Sequence, residues 1–139
     1  MRILLVEDNP ADVILFEKAL SIRAEQTDVH VIHDVEKTLD FINNHDAKFD
    51  RQLPDIIIVD LSMPKLGGLD LLKSLKKNPK TMEIPVLILT NSINTTDMMA
   101  AYKYGAAGFI QKSVDLEEYI EAMGIVVKYW SKVVALPRS

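Results

Sequence analysis

Three short apolar runs constrain this chain more than anything else in it: Ile3 to Val6, Ile56 to Val59 and Val86 to Leu89. Each is nearly continuous, with no polar residue at alternate positions. A strand with one wet face would alternate; uninterrupted runs rich in β-branched residues suit strands covered on both faces, as in a parallel sheet between helical layers. Two weaker runs, Val29 to Ile32 and Gly108 to Ile110, extend the series to five.

Helical patterns fill the gaps. Pro10 to Arg23 opens on Asn9-Pro10, where Asn caps and Pro suits the first turn. Val35, Leu39 and Ile42 mark a second helix. Leu69, Leu72 and Leu75 mark a third, which should stop before Asn78-Pro79. Thr95 to Tyr104 reads as a fourth, closed by Gly105, and Asp115-Leu116-Glu117-Glu118 resembles a capping box that opens a fifth. The expected class is therefore α/β, an open parallel sheet with helices on both faces. Right-handed crossovers narrow the topologies to the flavodoxin-like, doubly wound order 2-1-3-4-5.

The 139 residues fit a single domain, 1–139, with an extended fifth helix and C-terminal tail from about residue 115. The polar stretch from Asn43 to Leu53 is the longest connection and reads as a surface loop. A net charge of -4 argues against nucleic-acid binding, and Lys73, Lys76, Lys77 and Lys80 read as the solvated side of one helix. Without cysteine there is no disulfide, thiolate metal site or thiol nucleophile. No apolar run is long enough to span a bilayer, and the N-terminus does not read as a secretory signal, so a cytoplasmic protein is expected.

In such folds the functional crevice lies beyond the carboxyl ends of the strands. Here those ends carry Glu7-Asp8, Asp60, Thr90 and Gln111-Lys112. Three carboxylates, one hydroxyl and one ammonium are thus expected on one rim. Crowded carboxylates raise one another's pKa unless a cation intervenes, and a hard divalent ion with oxygen ligands, Mg²⁺ above all, answers that need. Asp60, directly after Ile56-Ile57-Ile58-Val59, should be largely buried, where an unpartnered carboxylate is costly.

Glu7-Asp8, then Asp60-Leu61-Ser62-Met63-Pro64 followed by Gly68, then Thr90 and Lys112, resembles the receiver domain of response regulators across essentially the whole chain. The resemblance implies a phosphoacceptor at Asp60, served by a histidine kinase, and no enzyme in the ordinary sense. It implies Mg²⁺ held by Glu7, Asp8, Asp60 and the backbone carbonyl of Ser62, with Thr90 and Lys112 binding phosphoryl oxygens. An inward shift of Thr90 and Lys112 would then reposition Phe109 and the face of the fourth helix, fifth strand and fifth helix. Three positions depart from the usual pattern: Ser113 replaces a proline, Phe109 replaces a frequent tyrosine, and Asn91 is larger than usual. The long loop, the Lys112-Ser113 pair and the tail from Tyr129-Trp130 to Leu136-Pro137 also resemble single-domain regulators paired with bacterial phytochromes. That subgroup implies a light-regulated kinase and a homodimer.

On a helical wheel, Leu116, Ile120, Met123, Val127 and Trp130 form one stripe of the fifth helix. Tyr119, Ala122, Val126, Tyr129 and Val133 form a second beside it, wider than one sheet face requires. Either the tail covers the second stripe, or Tyr119, Val126 and Tyr129 meet a partner subunit. Rival functions fare worse. An Asp-nucleophile phosphohydrolase would need a second Asp where Ser62 stands. A flavin domain would need a Ser/Thr/Gly-rich first loop in place of Glu7-Asp8-Asn9-Pro10. A degenerate receiver acting only as an interaction module has the intact acids, Thr90 and Lys112 against it. His30, His33 and His45 lack metal-site spacing, and Met98 and Met99 suit core or partner surface equally.

Overall fold

The computed structural model describes residues 1–23, 27–44, 53–62, 67–91 and 93–137. Its five parallel strands are β1 (Arg2–Val6), β2 (Asp28–Ile32), β3 (Ile56–Asp60), β4 (Val86–Thr90) and β5 (Gly108–Gln111), in the order β2-β1-β3-β4-β5. The helices are α1 (Pro10–Arg23), α2 (Val35–Asn43), α3 (Gly68–Lys77), α4 (Thr95–Lys103) and α5 (Leu116–Lys128). The expected topology stands, and β3, β4 and β5 each run one residue further than their apolar runs, through Asp60, Thr90 and Gln111. Those added residues are polar and lie at the carboxyl rim, carried into the sheet by backbone pairing with their neighbours.

Every residue of β3 and β4 is buried. Ile3, Leu5, Ile56, Ile58, Leu87 and Leu89 face one way, against Phe16, Ala19 and Leu20 of α1 and Tyr119, Met123 and Val127 of α5. Leu4, Val6, Ile57, Val59, Val86 and Ile88 face the other, against Ile42 of α2 and Leu71, Leu72 and Leu75 of α3. Alternation along each strand therefore feeds two cores, which is why the runs lack polar residues.

Capping follows the sequence with one exchange. The Asn9 side chain accepts from the Ala11 amide, Asp34 from Lys37, Asn94 from Asp97 and Asp115 from Glu118. The Glu118 carboxylate does not return to Asp115 as a capping box would; it accepts from the Ser113 hydroxyl at 2.9 Å. Ser113 in turn accepts from the Asp115 amide, so this residue organises the entry to α5.

Two expectations need correction. The lysines around α3 are not simply solvated: Lys76 Nζ donates to the Ile84 carbonyl at 2.6 Å, Lys80 Nζ to that of Asn43, and Lys73 lies 4.2 Å from the Tyr104 ring centre. They tie the end of α3 to its neighbours. In α5 the proposed second stripe is divided. Tyr119 is buried and so belongs to no subunit interface, while Ala122 and Val126 pack partly against the same core, because α1 lies alongside α5. The helix then widens into a π-helical turn over Tyr129–Val133, with the Val134 amide bonded to the Tyr129 carbonyl at 3.1 Å. That turn ends the regular 100° spacing and lays Trp130 and Leu136 against the core. The apolar residues left exposed are Ile125, Tyr129 and Val133, together with Leu116. Most of the Asn43 to Leu53 connection, His45 included, lies outside the described residues.

Gly105 closes α4 at φ 103°, in the left-handed region, and an added Cβ would meet Lys76 Cγ at 3.2 Å. Gly105→Ala is expected to destabilise the fold by about 1–2 kcal/mol, read as a lower denaturant midpoint with unchanged slope.

Candidate functional site

The parallel register aligns Val6 with Val59, Asp60 with Leu89, and Thr90 with Gln111, so β1, β3, β4 and β5 end nearly flush. Glu7, Asp60 and Thr90 are buried at that rim. Lys112 follows β5, its amide donating to the Thr90 carbonyl at 2.7 Å. Its side chain returns across the rim, 9% exposed, and places Nζ 2.7 Å from Asp60 Oδ2, 3.3 Å from Glu7 Oε2 and 3.5 Å from Asp12 Oδ2.

Asp60 is held from both sides, since its other oxygen, Oδ1, accepts from the Ser62 amide at 2.8 Å. The Ser62 hydroxyl accepts from the Asn91 amide at 3.2 Å, linking the loops after β3 and β4. Glu7 Oε1 accepts from the Asn9 amide, and the Glu7 carbonyl accepts from His33 Nδ1, which fixes the tautomer as Nδ1–H. His30 stacks on Phe41, away from this rim. Glu7, Asp8, Asn9, Asp12, Asp60, Ser62 and Asn91 line an open cleft of about 310 Å³. Phe109 packs partly buried against the α2–α3 core. Met63 and Pro64 lie outside the described residues.

The structure gathers Glu7, Asp60, Ser62, Thr90 and Lys112 as the sequence reading expected, and adds Asp12. Carboxylate oxygens of Glu7, Asp12 and Asp60 lie within 4.8 Å of one another, whereas Asp8 is exposed on the cleft wall. Asp12 was legible only as a first-turn acid suited to the helix dipole. The missed signal was Asn9-Pro10, which starts α1 so soon after β1 that its first turn hangs over the strand ends.

Burial pushes the Glu7 carboxyl up to about 8, helped by hydrogen bonding to Asp60 and by its charge, against the pull of Lys112. For Asp60 burial also acts upward, but hydrogen bonds from Glu7, Lys112 and Ser62 outweigh it and hold the carboxyl below its usual range. Lys112 is raised to about 12: burial opposes its charge, and the hydrogen bond to Asp60 and the surrounding carboxylates overcome that. The pocket therefore favours the ionised form of Asp60 and disfavours that of Glu7. Three carboxyl groups face a single ammonium, and the all-oxygen donor set suits a hard divalent cation.

The chain belongs to the response regulator receiver domain family, whose model matches residues 3–124. Response regulator Rcp1 of Synechocystis sp. is 30% identical over 135 residues, covering 97% of this chain and 92% of that relative. Among solved structures, the phosphorylated cyanobacterial phytochrome response regulator RcpA superposes with a TM-score of 0.88 at 29% identity, covering 98% of this chain and 97% of that one. The Mn²⁺-bound form of Rcp1 gives 0.86 at 29% identity, covering 98% of both chains.

Glu7 sets a pH signature. Its carboxyl titrates near 4.5 when unfolded and near 8 when folded, so its contribution to stability is complete below the lower value and lost as pH rises through the upper one. In EDTA the melting temperature should fall between about pH 5 and about pH 8. Glu7→Gln should flatten that part of the profile; an equally steep profile in the variant would assign the effect elsewhere.

Proposed function

We propose that the chain is a stand-alone, cytoplasmic response regulator whose Asp60 accepts a phosphoryl group from a sensor histidine kinase in the presence of Mg²⁺. The observation that carries this reading is the clamp on Asp60. Lys112 holds one carboxylate oxygen and the Ser62 amide the other, beside two further acids in an open cleft.

In the transfer, an Asp60 oxygen attacks phosphorus, the bond to the kinase imidazole nitrogen breaks, and its electron pair leaves with the histidine. Asp60 is suited to attack because its lowered pKa keeps it ionised. Glu7, Asp8, Asp12, Asp60 and the Ser62 carbonyl would hold Mg²⁺, which supplies charge neutralisation to the incoming phosphoryl group. Lys112, already charged, exchanges Asp60 for phosphoryl oxygens, and the Thr90 hydroxyl supplies a neutral partner. Ser62 offers no general acid for hydrolysing external phosphate esters, which favours signalling over catalysis. The resemblance to RcpA supports a phytochrome as the kinase.

Incubation with acetyl phosphate and Mg²⁺ should add one phosphoryl group to the intact mass. Asp60→Asn should abolish the gain and Lys112→Ala should reduce it severely, whereas a gain retained in Asp60→Asn would move the acceptor to another residue.

A second copy of the chain is the partner that best suits α5. Ile125, Tyr129 and Val133 are 62%, 50% and 71% exposed along one side of the helix and its π-helical turn. An exposed apolar row of this kind marks an association surface. Ile125→Glu should shift a dimer to a monomer in sedimentation velocity while leaving the melting temperature nearly unchanged; unaltered sedimentation would remove this face from consideration.

A further inference from the structure

The helices of this fold are not anchored equally. α3 buries Gly68, Leu71, Leu72 and Leu75, whereas α4 buries only Ala101. A helix with so small a buried face belongs among the elements that open or shift at low cost. α4 has a polar attachment as well. Tyr102, about half exposed, sets its hydroxyl 3.2 Å from the Phe109 amide and accepts from it. Since β5 is an edge strand, this amide is turned to the side that no neighbouring strand can satisfy. A phenol from the adjacent helix takes the strand's place.

The contact joins the two parts expected to move. Upstream, α4 follows Thr90 by a short loop that is itself fastened at Asn91, whose amide donates to Ser62 and whose carbonyl accepts from Gln111 Nε2 at 3.4 Å. Downstream, Phe109 packs against the same core as Tyr104, which lies just past the end of α4. A displacement of Thr90 toward Asp60 pulls the loop and the start of α4. The geometry of a single exposed hydrogen bond at the far end of α4 does not survive such a shift.

We propose that the Tyr102 hydroxyl is a clasp that holds α4 on the free edge of β5 in the unphosphorylated protein and opens on phosphorylation. The inference rests on the phosphoacceptor reading of Asp60 and assigns the switch a hydroxyl that Phe109 itself lacks. A bond made in only one of two states shifts their equilibrium by its own free energy. For a neutral hydrogen bond that is about fivefold.

The test compares the wild-type protein with Tyr102→Phe, which keeps the ring, using acetyl phosphate with Mg²⁺, intact mass and amide hydrogen exchange at Phe109. In the wild type the Phe109 amide should be protected before phosphorylation and exchange faster after it. In Tyr102→Phe it should exchange fast in both states, and half phosphorylation should need up to about fivefold less acetyl phosphate. A mass gain without any change in Phe109 exchange overturns the clasp and leaves the chemistry of Asp60 intact. So does a variant that needs as much phosphodonor as the wild type. No mass gain in either protein defeats the phosphoacceptor reading, and the clasp falls with it.

Discussion

The ammonium of Lys112 is the constraint around which the rim is arranged. The sheet brings Glu7 and Asp60 to a place where they are almost wholly removed from water, and α1 adds Asp12. Two ionised acids in such a space repel each other, and burial raises the cost of each. Lys112 reaches all three from the end of an edge strand, and it does so while itself buried. Such a pair adds little net stability against a well-packed apolar alternative, but losing one partner leaves uncompensated charge and costs about 3–5 kcal/mol. Burial and the neighbouring Asp60 push the Glu7 carboxyl up, while hydrogen bonds from Glu7 and Lys112 hold that of Asp60 down.

Much of this was legible in the sequence, for a definable reason. Uninterrupted apolar runs announce strands buried on both faces, and the residue that ends each run must lie at the rim. Asp60 and Thr90 were therefore placed by backbone arithmetic before any side-chain geometry was known. Asp12 was not, because its role depends on where α1 begins in space and not on its own helical periodicity. Tyr119 was misread because a helical wheel shows which residues share a face but not what else packs there; α1 lies against the first part of what looked like a surface stripe. The π-helical turn was invisible for a related reason. It adds a residue to one turn, and no pattern in Tyr129 to Val133 departs from an ordinary amphipathic helix.

Ser113 illustrates a different limit. As a departure from the family pattern it weakened the reading of the loop after Lys112. In the structure its hydroxyl bonds Glu118 and accepts from the Asp115 amide, which fixes the first turn of α5. The substitution trades the stiffness of a proline ring for a hydrogen-bonded turn, so the position of Lys112 remains secured by other means.

The helices are packed unequally against the sheet. α1 and α5 share a core with the sheet and with each other, and α3 buries four residues of its ten. α4 has neither. In such a fold a displacement is taken up by whatever is least tightly packed, because a dense core resists small shifts. Thr90 is joined to the start of α4 through the short loop that follows it, and Phe109 of β5 is bonded to the other end of the same helix through the Tyr102 hydroxyl. Of α1 to α5, α4 is thus the helix that the core holds by the fewest buried residues.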